Sequence, residues 1–492
     1  MNRYLIGPAF CALFALVQPH AVAAKDPVTP SPVSEAELRE SIAVMASDDF
    51  GGREPGTPGE TKTIAYIAKE FSKAGLVGAA DAAAGWLAPV DLVETGPGAS
   101  AFSLASPDDK PRLIGGKALL AKDDGISFYS AAPSREVVFD GIVELGSDDE
   151  PATDLADKLV ILAAGDDLRT TMAEVTRLAE RKPAAVLIAV GDQAAFDRAT
   201  SWVGRSRTTL ASQAEEGKDA ITGFVTGDAL NAIDQAVGRD ARGGFVPTKG
   251  TIATRNTVRD YTSYNVIAKL PGRDPASGAV MFTGHWDHLG TCRPEGAPDR
   301  ICNGAVDNAS GIAVLIAVAK RLAQMGPFDR DIYFVATTGE EKGLLGAYAL
   351  SENPPVPLDR IAVALNIDTI AIAPRDAKVA IIGRGKTDLD PAIEHVAHTL
   401  GRSIERSDEA NAFIRRQDGW ALAQKGVPAL MVGGSFSDMK LLEFFLSGDY
   451  HGPGDELTDA TPLGGAAEDA DLHVALGAYF ADTETYRAKP KD

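Results

Sequence analysis

From residue 264 onward the chain alternates between apolar strands and amphipathic helices, and this alternation restricts the possible folds more than any other feature of the sequence. Strands are predicted at residues 265–270, 279–283, 332–337, 361–367, 379–382 and 428–432, and helices at 309–324 and 389–400. Near-continuous apolar strands separated by helices are typical of a sheet that helices cover on both faces. The sequence therefore predicts a three-layer α/β domain over residues 251–492, with a mixed, largely parallel sheet.

The preceding segment, residues 98–250, has a different pattern and is interpreted as an inserted, small, β-rich domain. Short apolar strands are predicted at residues 137–145, 158–164 and 184–190, with a helix at 171–181. The segment contains no histidine, and its acidic runs are typical of solvated turns. We therefore expect the catalytic residues to lie outside it.

The N-terminal part, residues 25–97, carries the signals of a helix that starts at Pro58 and docks on the catalytic domain. Thr57 is a candidate cap, Pro58 occupies the first helical position, and Glu60 is placed to close a capping box. Gly75 marks the expected end of this helix.

The first 24 residues have the layout of a cleaved secretory signal, with a basic start at Arg3, an apolar stretch and the small residues Ala21, Val22 and Ala23. The apolar stretch, residues 5–17, is too short to span a bilayer, which takes roughly 20 apolar residues. We therefore expect an exported chain, periplasmic or extracellular, with no stable membrane insertion after the signal is removed.

Cleavage of this signal would remove Cys11 and leave Cys292 and Cys302 in the mature chain. Two nearby cysteines in an oxidising compartment favour one disulfide. Two free thiols and a metal-binding pair are the alternatives.

The charge of the chain excludes some classes of partner. Its 69 acidic and 48 basic side chains give a formal net charge of -21. Nucleic acids and anionic membranes would be repelled by such a surface, so neither is expected as a partner.

Polar side chains that can bind metal ions or carry protons follow three of the predicted strands. His285 and Asp287 follow the strand at 279–283, Glu340 and Glu341 follow the next predicted strand along the chain, and Asp368 follows a third. The carboxyl ends of parallel strands meet at one edge of a sheet, where ligands bind. The sequence thus predicts one site built from three strands.

Two further candidates lie in loops. Asp307 sits just before a predicted helix, where a carboxylate is stabilised by the helix N-terminus, and His451 lies in a loop rich in glycine and proline. The other four histidines downstream of the predicted signal are expected to be structural or exposed: His288, His395, His398 and His473.

The charges of these candidates suit two divalent cations. Three carboxylates and two neutral imidazoles, with a bridging hydroxide, would balance two Zn²⁺, and Co²⁺ or Mn²⁺ are possible substitutes. The predicted ligands are His285, Asp307, Glu341, Asp368 and His451. Glu340 is expected to act as general base, and Asp287 to accept a hydrogen bond from the imidazole nitrogen of His285 that does not bind the metal.

In chain order, the motifs GHWDHLG, GAVDNASG, TTGEEKG, NIDTIA and DYHGPGDE resemble those of metallopeptidase family 28, which groups bacterial leucyl aminopeptidases, glutamate carboxypeptidases and transferrin-receptor-like proteins. The resemblance implies a zinc-exopeptidase domain with His285 and Asp368 on one zinc, Glu341 and His451 on the other, and Asp307 between them. It also implies that Glu340 is the general base of hydrolysis by a zinc-bridging hydroxide, with Asp287 as its supporting acid.

The resemblance extends beyond these motifs. Residues 98–250 look like the protease-associated domain that is often inserted in this family, whereas Gly419 stands where a histidine is common and leaves a substrate role for Asp418 open. The implied function is that of an aminopeptidase acting on the N-termini of peptides or proteins. A carboxypeptidase or dipeptidase is the main alternative, and a glutaminyl-cyclase-like enzyme and a non-catalytic receptor-like module are more distant ones. Three arginines are candidate clamps for a terminal carboxylate: Arg384, Arg415 and Arg416.

Overall fold

The computed structural model of the chain describes residues 30–488 except 81–82, 84, 106–110, 113–118, 131, 147–148, 152–153, 166, 204 and 214–220. The predicted export signal, residues 1–24, lies outside the described residues. Within them, no helix combines the length and the apolar character that crossing a membrane requires.

The helices fall mainly in the N-terminal part and the C-terminal half of the chain. They are α1 Glu35–Met45, α2 Pro58–Lys73, α3 Leu168–Ala179, α4 Gln193–Val203, α5 Gly227–Val237, α6 Gly311–Met325, α7 Leu345–Glu352, α8 Asp390–Thr399, α9 Gly419–Ala423, α10 Met439–Ser447 and α11 Leu463–Ala481.

The strands range from two residues to more than twenty. They are β1 Val77–Gly78, β2 Leu87–Ala105, β3 Pro111–Arg112, β4 Leu119–Leu120, β5 Ile126–Tyr129, β6 Ser134–Phe139, β7 Ile142–Leu145, β8 Leu159–Ala163, β9 Ala185–Val190, β10 Arg207–Leu210, β11 Ile221–Thr226, β12 Lys249–Leu270, β13 Ala279–His285, β14 Gly290–Thr291, β15 Ile301–Cys302, β16 Asp331–Thr337, β17 Ile361–Asn366, β18 Ala380–Ile382 and β19 Ala429–Gly433.

The large sheet has four parallel strands at its centre, in the order β16, β13, β17 and β19. Antiparallel strands flank them, β12 beside β16 and β18 beside β19. The prediction of an α/β fold with a mixed sheet is therefore confirmed, and its parallel part is confined to these four strands.

The central strands are buried on both faces, and successive residues pack into different cores. Phe282 packs with α1, α2, α6, α8 and α11 on one face of the sheet, whereas Met281 packs with α7 and α9 on the other. On the first face, the rings of Phe282 and Phe334 stack with their centroids 5.4 Å apart. Helix, sheet and helix form three layers, and the large apolar side chains that they bury stabilise the fold.

A second sheet of five strands, in the order β5, β11, β9, β8 and β7, lies within the segment predicted as an insert. Its two faces carry separate apolar cores, one with α5 and the other with α3 and α4. The single strand predicted at 137–145 is wrong: the structure has two strands there, in different sheets, because the chain leaves β6 at Asp140 and enters β7 after Gly141.

Two long antiparallel strands connect the regions of the chain. β2 and β12 pair along almost their whole length. The N-terminal part of β12, residues 250–255, also pairs with β6. The predicted boundaries at residues 98 and 250 both lie inside these two strands.

Helix α2 begins at Pro58 as predicted, but the capping box is wrong. Thr57 donates its hydroxyl proton to the carbonyl oxygen of Glu54 and makes no cap bond to α2. The carboxylate of Glu60 is buried and accepts hydrogen bonds from the Gly56 amide and the Ser263 hydroxyl. The Glu60 carboxylate thus helps to dock α2 on β12. It does not accept from the amide of Thr57, as a capping box would require.

Candidate metal centre

Three parallel strands bring the predicted residues to one edge of the sheet. His285 is the last residue of β13 and pairs in register with Thr337 at the end of β16, three residues before Glu340. On the other side of β13, Thr283 pairs with Asn366 of β17, two residues before Asp368. The ends of these three strands, and the polar residues that follow them, are therefore neighbours at one edge of the sheet.

Asp307 enters the site from the loop that precedes α6. The amides of Val306 and Asp307 donate to the carboxylate of Asp455, at 2.8 and 3.0 Å. The next side chain, Asn308, donates to the carbonyl oxygens of His285 and Ile367. These bonds fix the Asp307 backbone between the ends of β13 and β17.

The two oxygens of Asp307 face two groups of donor atoms. On one side, His285 Nε2 lies 3.1 Å from Asp307 Oδ1 and 3.4 Å from Asp368 Oδ1. On the other side, His451 Nε2 lies 3.4 Å from Asp307 Oδ2 and 2.8 Å from Glu341 Oε2. We call these the His285 side and the His451 side of the centre.

This donor set fits metal ions in chemistry and in spacing. Nitrogen and oxygen ligands at roughly 2.0–2.2 Å from a tetrahedral zinc lie about 3.3 Å from one another. Three of the four separations, 3.1 to 3.4 Å, are close to that value, and the fourth, between His451 Nε2 and Glu341 Oε2, is shorter at 2.8 Å. All five predicted ligands are therefore placed where they could hold metal ions.

The electrostatics of the centre favour cations. Burial alone would lower the pKa of His285, but the negative charges of Asp368 and Glu340 raise it well above its ordinary value. Burial likewise opposes protonation of His451, whose pKa is raised to about 9 by Asp307 and Glu341. Because the carboxylates outnumber the imidazoles, bound cations would relieve the excess negative charge.

Glu340 lies beside the candidate ligands and is half-buried. Burial raises the pKa of its carboxyl group well above the ordinary value, and the charges of Glu341 and Asp368 add to this effect. Its amide donates to Asp287 Oδ1 at 3.1 Å, and the amide of Glu341 faces Asp287 Oδ2 at 3.4 Å. The Asp287 carboxylate thus holds the backbone of the Glu340–Glu341 pair.

The expected contact between Asp287 and His285 differs in detail from the prediction. His285 Nδ1 is 3.1 Å from the carbonyl oxygen of Asp287, whereas the nearest carboxylate oxygen of Asp287 is 3.8 Å away. The carbonyl is therefore the closer acceptor for the imidazole N–H. The carboxylate of Asp287 instead faces the amides of Glu340 and Glu341, which follow β16.

Three residues near the centre were not predicted to be part of it. His288 contacts Glu341, Asp455 holds the Asp307 loop, and Arg53 lies fully buried behind the centre and donates to four backbone carbonyl oxygens. Asp455 stands four positions after His451, so its place in DYHGPGDE was a usable signal. Nothing in the local pattern around Arg53 indicates its distant partners.

The two remaining cysteines lie beside Arg53. Cys292 and Cys302 form a disulfide with their Cα atoms 5.8 Å apart, next to the short hairpin of β14 and β15. A Cβ atom at Gly52 would lie 2.5 Å from the carbonyl oxygen of Cys302. Glycine at this position therefore permits the hairpin to pack against the loop that carries Arg53.

The candidate carboxylate clamps have different surroundings. Arg384 is paired with Glu394, and Arg415 lies over the ring of Trp420. Arg416 lies over Phe413 and has an amino group 3.4 Å from the hydroxyl of Tyr450, whose ring stacks on His451 with centroids 3.7 Å apart. Of the three arginines, Arg416 contacts the loop that carries a predicted ligand.

Asp418 is buried, and its carboxylate accepts a hydrogen bond from the Thr337 hydroxyl. Burial raises the pKa of Asp418 to about 6.

Comparison with known proteins agrees with this fold. The chain superposes on an aminopeptidase from Aneurinibacillus sp. strain AM-1 with a TM-score of 0.57 and 17% identity, covering 94% of this chain and 97% of that one. The two proteins therefore share a fold. Residues 265–469 match the family model described as Peptidase family M28.

Curated relatives match over shorter stretches. A probable leucine aminopeptidase 2 from Aspergillus oryzae is 30% identical over 238 residues, which are 47% of this chain and 43% of that protein. A probable zinc metalloprotease from Pyrenophora teres f. teres is 29% identical over 169 residues, or 34% of this chain and 35% of that protein. The chain thus spans less than half the length of these relatives.

Proposed function

We propose that the chain is a zinc-dependent exopeptidase, most specifically an aminopeptidase, that binds two Zn²⁺ at the centre around Asp307. The observation that carries this proposal is the shared carboxylate: each oxygen of Asp307 faces a different imidazole, and each imidazole has a further carboxylate beside it. The match of residues 265–469 to the model of peptidase family M28 and the names of the relatives support the same class.

The proposed ligands divide between the two sides of the centre. His285 and Asp368 would hold one ion, Glu341 and His451 the other, and Asp307 both. When bound, the two ions would polarise the scissile carbonyl and acidify the attacking water. The remaining chemistry belongs to side chains of this chain.

Glu340 is the proposed general base. Its carboxylate accepts the proton of the attacking water and delivers it to the leaving amine, a role that general acid–base residues fill with roughly 10²- to 10⁴-fold effects on rate. Asp287 positions this carboxylate, because it accepts hydrogen bonds from the amides of Glu340 and Glu341. The backbone at the end of β16 thereby directs one glutamate to the water and the other to a metal ion.

Substrate would approach from the exposed side of the centre. The side chain of His451 is 37% exposed and that of Asp368 is 9% exposed, whereas those of Glu341 and His285 are 3% and 1% exposed. We propose that the free α-amine of a peptide binds at this rim, near Asp368. Peptide or protein N-termini are then the proposed substrates. The predicted secretory signal, residues 1–24, supports the further proposal that the chain acts after export, in a periplasm or outside the cell.

A pair of variants of the adjacent glutamates tests the assignment. Glu340→Gln should bind as much zinc as the wild type and lose at least about 100-fold in kcat, because only the proton acceptor is removed. Glu341→Gln should lose zinc from the His451 side. Zinc content after dialysis and hydrolysis of aminoacyl substrates measure both. Wild-type turnover by Glu340→Gln, or full zinc retention by Glu341→Gln, would contradict these roles.

One observation favours the carboxypeptidase or dipeptidase alternative: the contact of Arg416 with the Tyr450 hydroxyl places a guanidinium near the centre. A panel of free aminoacyl and N-blocked substrates, assayed with and without a chelator, separates the two functions. An aminopeptidase cleaves the free substrates and is inhibited by the chelator. Cleavage of the blocked substrates alone would assign the carboxypeptidase function and predict a raised KM for Arg416→Ala.

A further inference from the structure

His288 makes a contact that the proposed mechanism does not use. Its side chain is fully buried, and its Nδ1 lies 2.6 Å from Oε1 of Glu341. The other oxygen of Glu341, Oε2, lies 2.8 Å from Nε2 of His451. One oxygen of this carboxylate therefore faces His288, and the other faces the proposed metal position.

We propose that His288 is a positioning residue that holds Glu341 with a single oxygen toward the metal on the His451 side. This inference rests on the proposed function. The Nδ1–H group donates to Oε1, so that the carboxylate cannot rotate and Oε2 is presented to the ion. Mutation of a residue that orients a metal ligand in this way typically costs about 10- to 100-fold in metal affinity.

The hydrogen-bond pattern of the imidazole supports this direction of donation. Nε2 of His288 is buried and has no partner among the residues that the structure describes. Nδ1 lies 2.6 Å from a carboxylate oxygen, and an ionised carboxylate can only accept a hydrogen bond, so the proton must be on Nδ1. The tautomer with its proton on Nδ1 is therefore favoured, and it is the one that donates to Glu341.

The ring is also fixed by its surroundings. A Cβ atom at Gly304 would lie 2.6 Å from the ring of His288, so the glycine backbone packs directly against it. The amide of His288 donates to the carbonyl oxygen of Arg53 at 3.3 Å. The donor is thus held rigidly, as a positioning residue requires.

His288 could instead bind the metal directly, since ligand atoms of His288, Asp307 and Glu341 lie within 4.8 Å of one another. The 2.6 Å between Nδ1 and Oε1 favours the hydrogen bond, because two ligands of one zinc are about 3.3 Å apart. Direct ligation is therefore an outcome that the experiment must distinguish.

The contact predicts an effect on one metal ion and not on the other. His288 contacts Glu341 on the His451 side, whereas His285 and Asp368 form the other side. Loss of the donor should weaken one of the two sites by about 10- to 100-fold, the range found for outer partners of metal ligands. The other site should keep its affinity.

The test is a Co²⁺ titration of the full chain after chelation, followed by visible absorption. His288→Phe keeps a ring but cannot donate, and His288→Asn keeps a donor near Nδ1. We expect two tight Co²⁺ sites in the wild type, one weakened site in His288→Phe, and recovery of at least part of that affinity in His288→Asn. If His288→Phe does not fold, His288→Gln serves in its place, because its amide lies near the position of Nε2 and not of Nδ1.

His473→Asn is the matched control. His473 is equally buried and its Nε2 likewise has no partner among the described residues, but its Nδ1 contacts the carbonyl oxygen of Asp469 in α11. Both Co²⁺ affinities should be unchanged in this variant. A wild-type-like titration of His288→Phe or His288→Gln would overturn the proposal, as would equal loss in His288→Asn and His288→Phe.

Direct ligation by His288 would also overturn the proposal. It would appear as a change in the ligand-field bands of the bound Co²⁺ in His288→Asn, whereas positioning predicts bands at the wild-type wavelengths. Failure of the proposed function is a separate result. A wild type that binds Co²⁺ but cleaves no peptide refutes the peptidase and leaves the His288 comparison intact.

Discussion

Replacement of Arg53 by lysine should destabilise the protein strongly although it conserves the charge. The guanidinium is fully buried and donates from Nε to Trp286 O, from Nη1 to Met45 O and Asn303 O, and from Nη2 to Gly304 O, at 2.5 to 2.9 Å. Burial lowers its pKa to about 10, against the opposing effect of nearby carboxylates, so the group stays charged at neutral pH.

The magnitude follows from the number of carbonyl oxygens left without a donor. An ammonium group is a single point with three donors and cannot match a planar fork that reaches four acceptors. If lysine satisfies two of them, two buried carbonyls remain, at about 1–3 kcal/mol each. For two carbonyls this is about 2–6 kcal/mol, and we expect Arg53→Lys to lower the free energy of unfolding by about 3 kcal/mol, in the lower half of that range.

The assay is urea unfolding of the metal-free full chain, with Arg273→Lys as control. Arg273 pairs with Asp329, and its side chain is 61% exposed, so the same substitution there should change stability by less than about 0.5 kcal/mol. A loss of less than about 1 kcal/mol in Arg53→Lys would refute the reasoning, because it would mean that the fork geometry contributes little.

Two further predictions concern other buried groups. Asp455→Asn should cost about 2 kcal/mol and reduce zinc retention on dialysis, because Val306 N and Asp307 N donate to different oxygens of the carboxylate and an amide has only one oxygen; undiminished zinc retention would contradict this. Burial lowers the pKa of His473 to about 4, so its unfolded form, with a pKa near 6.5, binds the proton first as pH falls. The wild type should therefore lose about 2 kcal/mol more than His473→Asn between pH 7.5 and 5 in urea unfolding, and equal losses would contradict the burial effect.

The ends of the parallel strands were predictable because they depend on local pattern. The strand containing Thr283 and the strand ending at Thr337 are apolar runs of ordinary length, and the polar residues follow them directly. Parallel pairing then brings those ends together whatever the rest of the chain does. This is why His285 and Asp368 could be placed from sequence.

Contacts across long stretches of chain could not be predicted in the same way. Arg53 bonds to carbonyl oxygens as far as 251 positions away, and Glu60 accepts from Ser263, 203 positions away. The local signal at Glu60 favoured a capping box, and the distant partner overrode it. His288 was expected to be structural because no local pattern shows which side chain its imidazole meets.

The residues that support the metal centre also bond to partners far away along the chain. Asp455 lies 148 positions from the amide of Asp307 that it holds. The sequence shows a carboxylate in a loop near His451, but the direction in which it points depends on how that loop packs on the turn before α6. The positions of the candidate ligands were therefore predictable where strand order determines them, whereas the surrounding hydrogen bonds required the structure.

The central claim is that Asp307 lies between two metal ions. Anomalous diffraction at the zinc edge, from crystals of the zinc-loaded full chain, tests it most directly. We predict two peaks roughly 3.5–4 Å apart on either side of the Asp307 carboxylate, one next to His285 and Asp368 and the other next to Glu341 and His451. A single peak at full zinc loading, or a peak that does not contact Asp307, would contradict the account.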